Sequence, residues 1–377
     1  MSPFARAGHS QGVEPYLQLA LAEGFGEGMV LALLGPDVDP HAVLRAPPEP
    51  PAIPPRVAER LRDPTLAERA RALAATATAA GLTVLTPADP RWPEPLLHLA
   101  QRPLVLFVRG DPAALQRAPA AAMVGSRTPT PYGADAARQF AAALAQAGVS
   151  LWSGLARGID GIAHEACVTA GVPTVAVLAG GLDRIYPPEH AALAARIEAT
   201  GGCLISELPP GHVARRGHFP RRNRLIAAGT SRVVVVEASL TSGALHTARF
   251  AAECGVDVYA LPGPWQSERS QGCHRLVGEG ARLLEDPESL LRDLGVAGPA
   301  AAGTALHFAH SADEHALVQR LQQGPRPGDL LQRESGLDRA TFLRALFGLQ
   351  ARGAVARFAG DLWALTGSGP PDSLTNR

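Results

Sequence analysis

Short apolar runs alternate with helical segments through the middle of the chain. They are Ala120–Gly125 (AAAMVG), Val149–Gly154 (VSLWSG), Pro173–Gly181 (PTVAVLAGG), Cys203–Pro209 (CLISELP), Arg232–Ala238 (RVVVVEA) and Val256–Gly263 (VDVYALPG). Unbroken apolar runs of this length suit strands buried on both faces, and strands separated by helices need crossover connections, which make the strands parallel. The pattern therefore predicts an α/β fold, a Rossmann-like doubly wound and mostly parallel sheet. Such folds bind ligands in the crevice beyond the carboxyl ends of their strands.

On either side the pattern changes. Residues 15–80 are rich in alanine and leucine at helical spacing, interrupted by the proline cluster Ala46–Pro55, and predict a small helical domain over residues 1–81. Within it, Gly24-Phe25-Gly26 sits between two apolar helical segments, as in a helix-hairpin-helix turn whose N–H groups could hold a phosphate. The flanking Glu23 and Glu27 favour a packing turn or a partner surface instead. From Leu82 to Asp111, Trp92 and the run PLVLFVRGD are expected to cap the sheet of the next domain, which spans 82–293. A glycine-punctuated linker, 294–312, follows. Residues 313–366 show helical segments at His315–Gln323 and Arg339–Gly353, then two short strand-like runs about Gly360-Asp361, the order of a winged helix. Such modules can place their second helix in the DNA major groove. Here Glu334 and Asp338 offset Arg339 and Arg344, which favours a protein contact or a degenerate module over DNA binding. Residues 367–377 form a tail.

Composition sharpens this reading. Lys+Arg and Asp+Glu are 35 each, so net charge gives no argument for a polyanion partner and only local charge can. Every cation is arginine. With no lysine in the chain, Schiff-base chemistry and a Walker A phosphate loop are excluded. Cys167, Cys203, Cys254 and Cys273 lie far apart, with neither a disulfide framework nor a zinc-ribbon spacing. The first residues lack a signal-peptide core and no run suits a membrane span, so a soluble, cytoplasmic protein is expected.

The candidate chemistry falls after the predicted strands. Gly125, Ser126 and Arg127 follow the first, but not as GxGxxG, so a dinucleotide site is not supported. The arginine offers a planar fork for phosphate oxygens. After the second, Ser153, Gly154, Arg157 and Gly158 lead into a helix start where N–H groups can face an anion. Asp160 and His164 share a helical face at metal-ligand spacing but lack a third ligand, so no metal is expected. The next two loops bring Gly180, Gly181, Tyr186 and Glu207. Glu207 is either a general acid or base in a nucleotide-cleaving pocket, or the partner of an arginine downstream. Between Glu207 and Glu237 lie six arginines and no acid. Arg215, Arg216, Arg221, Arg222 and Arg224 cluster there with His218, Phe219 and Asn223. Cations interleaved with an aromatic suit an unpaired strand, because arginines neutralise phosphates while a ring stacks on any base. The alternative is a solvated loop with Phe219 buried. Thr241, Ser242, Gly243 and Thr247 form one more helix start able to cradle phosphate. Leu276 and Val277 could meet a partner subunit or close the core. No nucleophile, base and orienting group share a plausible spacing, so catalysis is not required.

The chain resembles the DNA-processing protein A family (DprA, also called Smf). The resemblance runs through GSR (Gly125–Arg127), SGLARGID (Ser153–Asp160), IYP (Ile185–Pro187), ISE (Ile205–Glu207), FPRRNR (Phe219–Arg224), SGAL-x-T (Ser242–Thr247) and LPG (Leu261–Gly263). It implies a non-catalytic, cofactor-free protein that binds single-stranded DNA, forms a homodimer through the Rossmann-like domain, and loads RecA recombinase onto strands imported in natural transformation. It transfers the strand-holding role to Arg127, Arg216, Phe219, Arg222, Asn223 and Arg224, with Arg215 or Arg216 standing where the family has lysine. The terminal domains resemble the family's SAM-like and winged-helix modules. Cys273-His274 departs from the family, which usually has an asparagine two residues after the glycine. Two other classes remain open: a Rossmann-like nucleotide enzyme of the phosphoribohydrolase type using Glu207 or Asp160, although its PGGxGTxxE loop is absent, and a duplex-binding regulator acting through the winged helix.

Overall fold

The computed structural model describes residues 12–25, 39–296, 311–351, 354–358 and 361–365. Gly26, Glu27, most of the expected linker and the tail 367–377 lie outside them. The chain divides into two compact units, 1–296 and 297–377.

In the first unit, helices α1 (Val13–Glu23), α2 (Pro40–Arg45), α3 (Pro55–Leu61) and α4 (Leu66–Ala79) precede the sheet. Their apolar faces do not form a separate core. Leu17, Leu19, Val57 and Leu61 join one buried cluster with Phe107, Leu178, Leu182 and Leu204 from the sheet region. Phe25 packs on Phe107 and His212, with ring centroids 6.1 and 6.0 Å apart, so the glycine-flanked residue serves packing.

The six predicted strands all form, as β3 (Ala120–Val124), β4 (Ser150–Ser153), β5 (Thr174–Val177), β6 (Cys203–Ser206), β7 (Arg232–Val235) and β8 (Asp257–Ala260). Most of their residues are buried, as their apolar runs require. Strands β1 (Thr83–Leu85) and β2 (Leu106–Gly110) extend the sheet past β6 in antiparallel pairing. A short β9 (Arg282–Leu283) adds to β8. The order is β1-β2-β6-β5-β4-β3-β7-β8-β9, with every pair from β6 to β9 parallel. The chain reverses its direction of travel across the sheet between β3 and β7, which is the topological switch point.

The crossover helices are α5 (Pro131–Gln146), α6 (Ile159–Thr169), α7 (Ala191–Ala199), α8 (His218–Ala228), α9 (Ala244–Glu253) and α10 (Glu268–Gly278), and α11 (Pro287–Asp293) follows β9. Their starts are encoded locally. At α5, Pro131 occupies the first turn and Thr130 Oγ1 accepts from Gly133 N at 3.1 Å, the N-cap arrangement. Leu276 and Val277 on α10 pack against the core cluster. No helix among the described residues is long and apolar enough to cross a membrane.

In the second unit, α12 (Ala312–Gln322), α13 (Gly328–Ser335) and α14 (Arg339–Ala351) accompany a three-stranded antiparallel sheet of β10 (Arg326–Pro327), β11 (Val355–Phe358) and β12 (Leu362–Leu365), in the order β10-β12-β11. Leu317, Leu321, Phe342, Leu346 and Trp363 form its core. Asp338 caps α14 by accepting from Ala340 N and Thr341 N, at 3.0 and 3.1 Å, and Glu334 pairs with Arg326.

Candidate functional site

A groove of about 640 Å³ opens at the carboxyl ends of β3 and β7, where a doubly wound sheet should place it. Its floor starts with the turn after β3. The glycine at 125 is a steric requirement, since a Cβ there would lie 2.8 Å from Ile159 Cγ1 and 3.0 Å from the Glu237 carbonyl. Ile159 N donates to Ser126 O at 3.1 Å, which locks this turn to the start of α6. Gly158 has φ +74°, and a side chain there would collide with the Ser126 carbonyl.

Arg222 anchors the centre. Its guanidinium donates to the carbonyls of Gly154, at 2.7 Å, and Val177, and its Nε donates to Asn223 Oδ1 at 3.2 Å. A Cβ at Gly154 would lie 2.5 Å from Arg222 Nη2, so the glycine makes room for the cation. Leu155 adopts φ +54°, a left-handed conformation uncommon for a residue other than glycine. Burial pushes the Arg222 pKa down to about 10, opposed by the Asp160 carboxylate, so the side chain stays charged at neutral pH. Burial raises Asp160 in turn, opposed by Arg222 and by the Gly154 N–H that it accepts at 3.0 Å. Arg222 therefore contributes a fixed positive charge to the groove wall.

Phe219 and Arg127 form the mouth. The Arg127 guanidinium lies over the Phe219 ring, 5.6 Å from its centroid, and Tyr186 meets that ring edge-on at 5.9 Å. Phe219 is half-buried rather than sunk in the core, and Arg127 is exposed. On the opposite wall, Ser242, Gly243 and Thr247 line the groove at the start of α9. Asn223 Nδ2 reaches across to Gly243 O at 3.3 Å.

Several expected site residues take other places. Ser153 is buried and donates to Met123 O at 2.6 Å, so it supports the floor from beneath. Arg157 pairs with Glu189 on the surface, a contact weak enough for another anion to displace. Arg224 does not line the groove. Its two terminal nitrogens hold the Glu207 carboxylate at 2.5 and 2.6 Å, its Nε donates to Gln101 O at 2.9 Å, and both side chains are buried. This pair also occupies Glu207, one of the two carboxylates weighed for nucleotide cleavage. Asp160 and His164 face different partners: Asp160 accepts from Gly154 N, and His164 Nδ1 is hydrogen-bonded to Thr174 Oγ1 at 2.9 Å. Burial pushes His164 down to about 3, so the imidazole is neutral. Arg215 and Arg216 are exposed on the loop before α8, with no carboxylate partner among the described residues.

One cation was not anticipated. Arg269, on the first turn of α10, donates to Thr128 Oγ1 at 2.7 Å and to Ser126 Oγ at 3.4 Å, and lines the groove. Around the groove the guanidiniums of Arg127, Arg222 and Arg269 face the carboxylates of Asp160 and Glu268, with Arg222 and Asp160 opposing one another. The surplus is positive, and Arg215 and Arg216 add to it from outside.

Residues 83–295, more than half of the chain, match the model of the DNA recombination-mediator protein A family. The chain belongs to that family. It is 42% identical over 240 residues to Protein Smf of Escherichia coli, covering 63% of this chain and 62% of that protein. It is 39% identical over 293 residues to a putative DNA processing protein DprA of Mycobacterium tuberculosis, covering 72% and 74%. The X-ray structure of DprA from Streptococcus pneumoniae superposes with a TM-score of 0.62 at 29% identity, covering 76% of this chain and 99% of that one. A Helicobacter pylori DprA structure, described for its single-stranded DNA binding mode, gives 0.51 at 27% identity over 57% of this chain and 97% of its own.

Proposed function

We propose that the chain binds single-stranded DNA in the groove at the β3/β7 switch point. Support comes chiefly from the arrangement at the mouth: an aromatic ring carrying an exposed guanidinium, beside a glycine-rich floor and a fixed buried cation. Arg127, Arg215, Arg216 and Arg269 take phosphates. Arg222 supplies a field that needs no reorganisation, and the dipole of α9, which starts in the groove wall, adds partial positive charge. Phe219 stacks on a base, which only an unpaired strand can offer. The site residues are thus Gly125, Ser126, Arg127, Arg215, Arg216, Phe219, Arg222, Asn223, Ser242, Gly243, Thr247 and Arg269, with Gly154 and Gly158 shaping the floor.

Family membership supports the finer reading: a non-catalytic mediator that protects incoming strands and loads RecA during natural transformation, dimerises through the sheet unit, and works in the cytoplasm. The helix and strand order of the second unit supports a winged helix, and the N-terminal helices a SAM-like element.

A mobility shift with single-stranded and duplex oligonucleotides of one sequence tests the binding reading. Single strands are expected to bind tighter, and Phe219→Ala to cost about 1 to 3 kcal/mol of that affinity. Duplex preference retained by residues 311–377 alone would favour the winged-helix regulator. Free base released from nucleoside monophosphates would revive the enzyme.

A further inference from the structure

The wall contributed by the segment after β8 carries a group that the strand-binding reading does not use. Trp265 is 77% exposed, whereas Trp92, Trp152 and Trp363 are 4%, 1% and 4% exposed. A large aromatic ring left in water forgoes the burial that normally makes tryptophan favourable in a fold. The loop that presents it is nonetheless held in place. Tyr132 Oη donates to Pro262 O at 2.9 Å, His274 Nε2 is hydrogen-bonded to Gly263 O at 3.0 Å, and Ser267 N donates to Pro264 O at 3.0 Å. His274, the departure from the family pattern, is thus one of the anchors of this loop. Two residues beyond Trp265 the chain enters the groove, with Ser267, Glu268 and Arg269 in its lining.

We propose that Trp265 is a second stacking platform for the same single strand. Tyr186 follows β5 and meets the Phe219 ring at the start of α8, Arg127 follows β3, Ser242 and Gly243 follow β7, and Arg269 and Trp265 follow β8. Four strand spacings separate β5 from β8, roughly 19 Å at about 4.8 Å each. A strand crossing the mouth in that direction passes first an aromatic ring, then the cation Arg269 held between the Ser126 and Thr128 hydroxyls, then a second aromatic ring. Arginines alternating with stacking surfaces form a track that any base sequence can follow. A loop already fixed loses little freedom when a base lands on its indole.

The inference rests on the single-strand reading, and the experiment separates the two. The full chain is titrated with a thymidine homo-oligonucleotide while intrinsic tryptophan fluorescence is followed, with affinity measured in parallel by mobility shift. The other three indoles are buried, so the expected quenching arises from Trp265 and vanishes in Trp265→Ala. Affinity is expected to fall between about 5-fold and 150-fold in Trp265→Ala and to be largely retained in Trp265→Phe. The melting temperature and sedimentation of both variants should match the parent chain. Unchanged affinity in Trp265→Ala, or binding without quenching, would overturn the platform and leave the strand-binding reading intact. A shift of Trp265→Ala to a smaller sedimenting species, with binding lost alongside, would show that the ring serves a contact between copies of the chain and would equally overturn it. A parent chain that binds no single strand at all would end both.

Discussion

Arg224→Ala is expected to cost about 3 to 5 kcal/mol of folding stability, the usual effect of stripping one partner from a buried ion pair. Glu207 and Arg224 are 7% and 3% exposed at the side chain, and the guanidinium also satisfies the Gln101 carbonyl. Removing it leaves a carboxylate and a carbonyl in low dielectric without donors. In a unit of this size each kcal/mol moves Tm by roughly 2 to 4 °C, so the melting curve should fall by ~10 °C. Replacing both partners with apolar groups, as in Glu207→Leu with Arg224→Met, should recover most of the loss, because the desolvation penalty disappears together with the attraction. A variant Arg224→Ala that melts like the parent but binds DNA poorly would return this residue to the groove.

The second large effect is on affinity and depends on salt. Arg127, Arg215, Arg216 and Arg269 have no carboxylate partner among the described residues, and Arg222 keeps its charge. If these neutralise roughly four or five phosphates of a single strand, counterion release gives a slope of about 0.7 per phosphate in log K against log salt. Affinity should then fall on the order of a hundredfold between about 50 and 200 mM salt. Arg127→Ala should flatten the slope by about 0.7 and Arg224→Ala should leave it unchanged. A titration by fluorescence anisotropy at four salt concentrations checks both. An affinity insensitive to salt would mean that these cations do not face phosphate.

The sheet was legible because its strands are buried on both faces, so that runs such as Arg232–Ala238 carry almost no polar interruption. By contrast, β9 has two exposed residues and left no such signal. The run before Asp111 reads as a cap on the sheet, yet it folds as β2, in antiparallel pairing with β6. Sequence cannot distinguish those two outcomes for an apolar segment at an edge. The site was legible in its motifs but not in the direction of each side chain. Arg221, Arg222 and Arg224 share α8, where successive residues turn by about 100°. One therefore stays exposed, one enters the groove wall, and one points at Glu207. Arg269 gave no signal at all. It is a single arginine next to a glutamate, and only the crossover after β8 brings it to Ser126 and Thr128, more than 140 residues earlier in the chain.

Photo-cross-linking tests most directly whether the groove at the switch point holds the strand. A single strand carrying bromodeoxyuridine is irradiated on the full chain and the attached peptides are sequenced. Adducts are expected in the segments around Phe219 and Arg269, and they should disappear when unlabelled single strand competes. Adducts confined to residues 311–365, with none from either groove segment, would contradict the assignment.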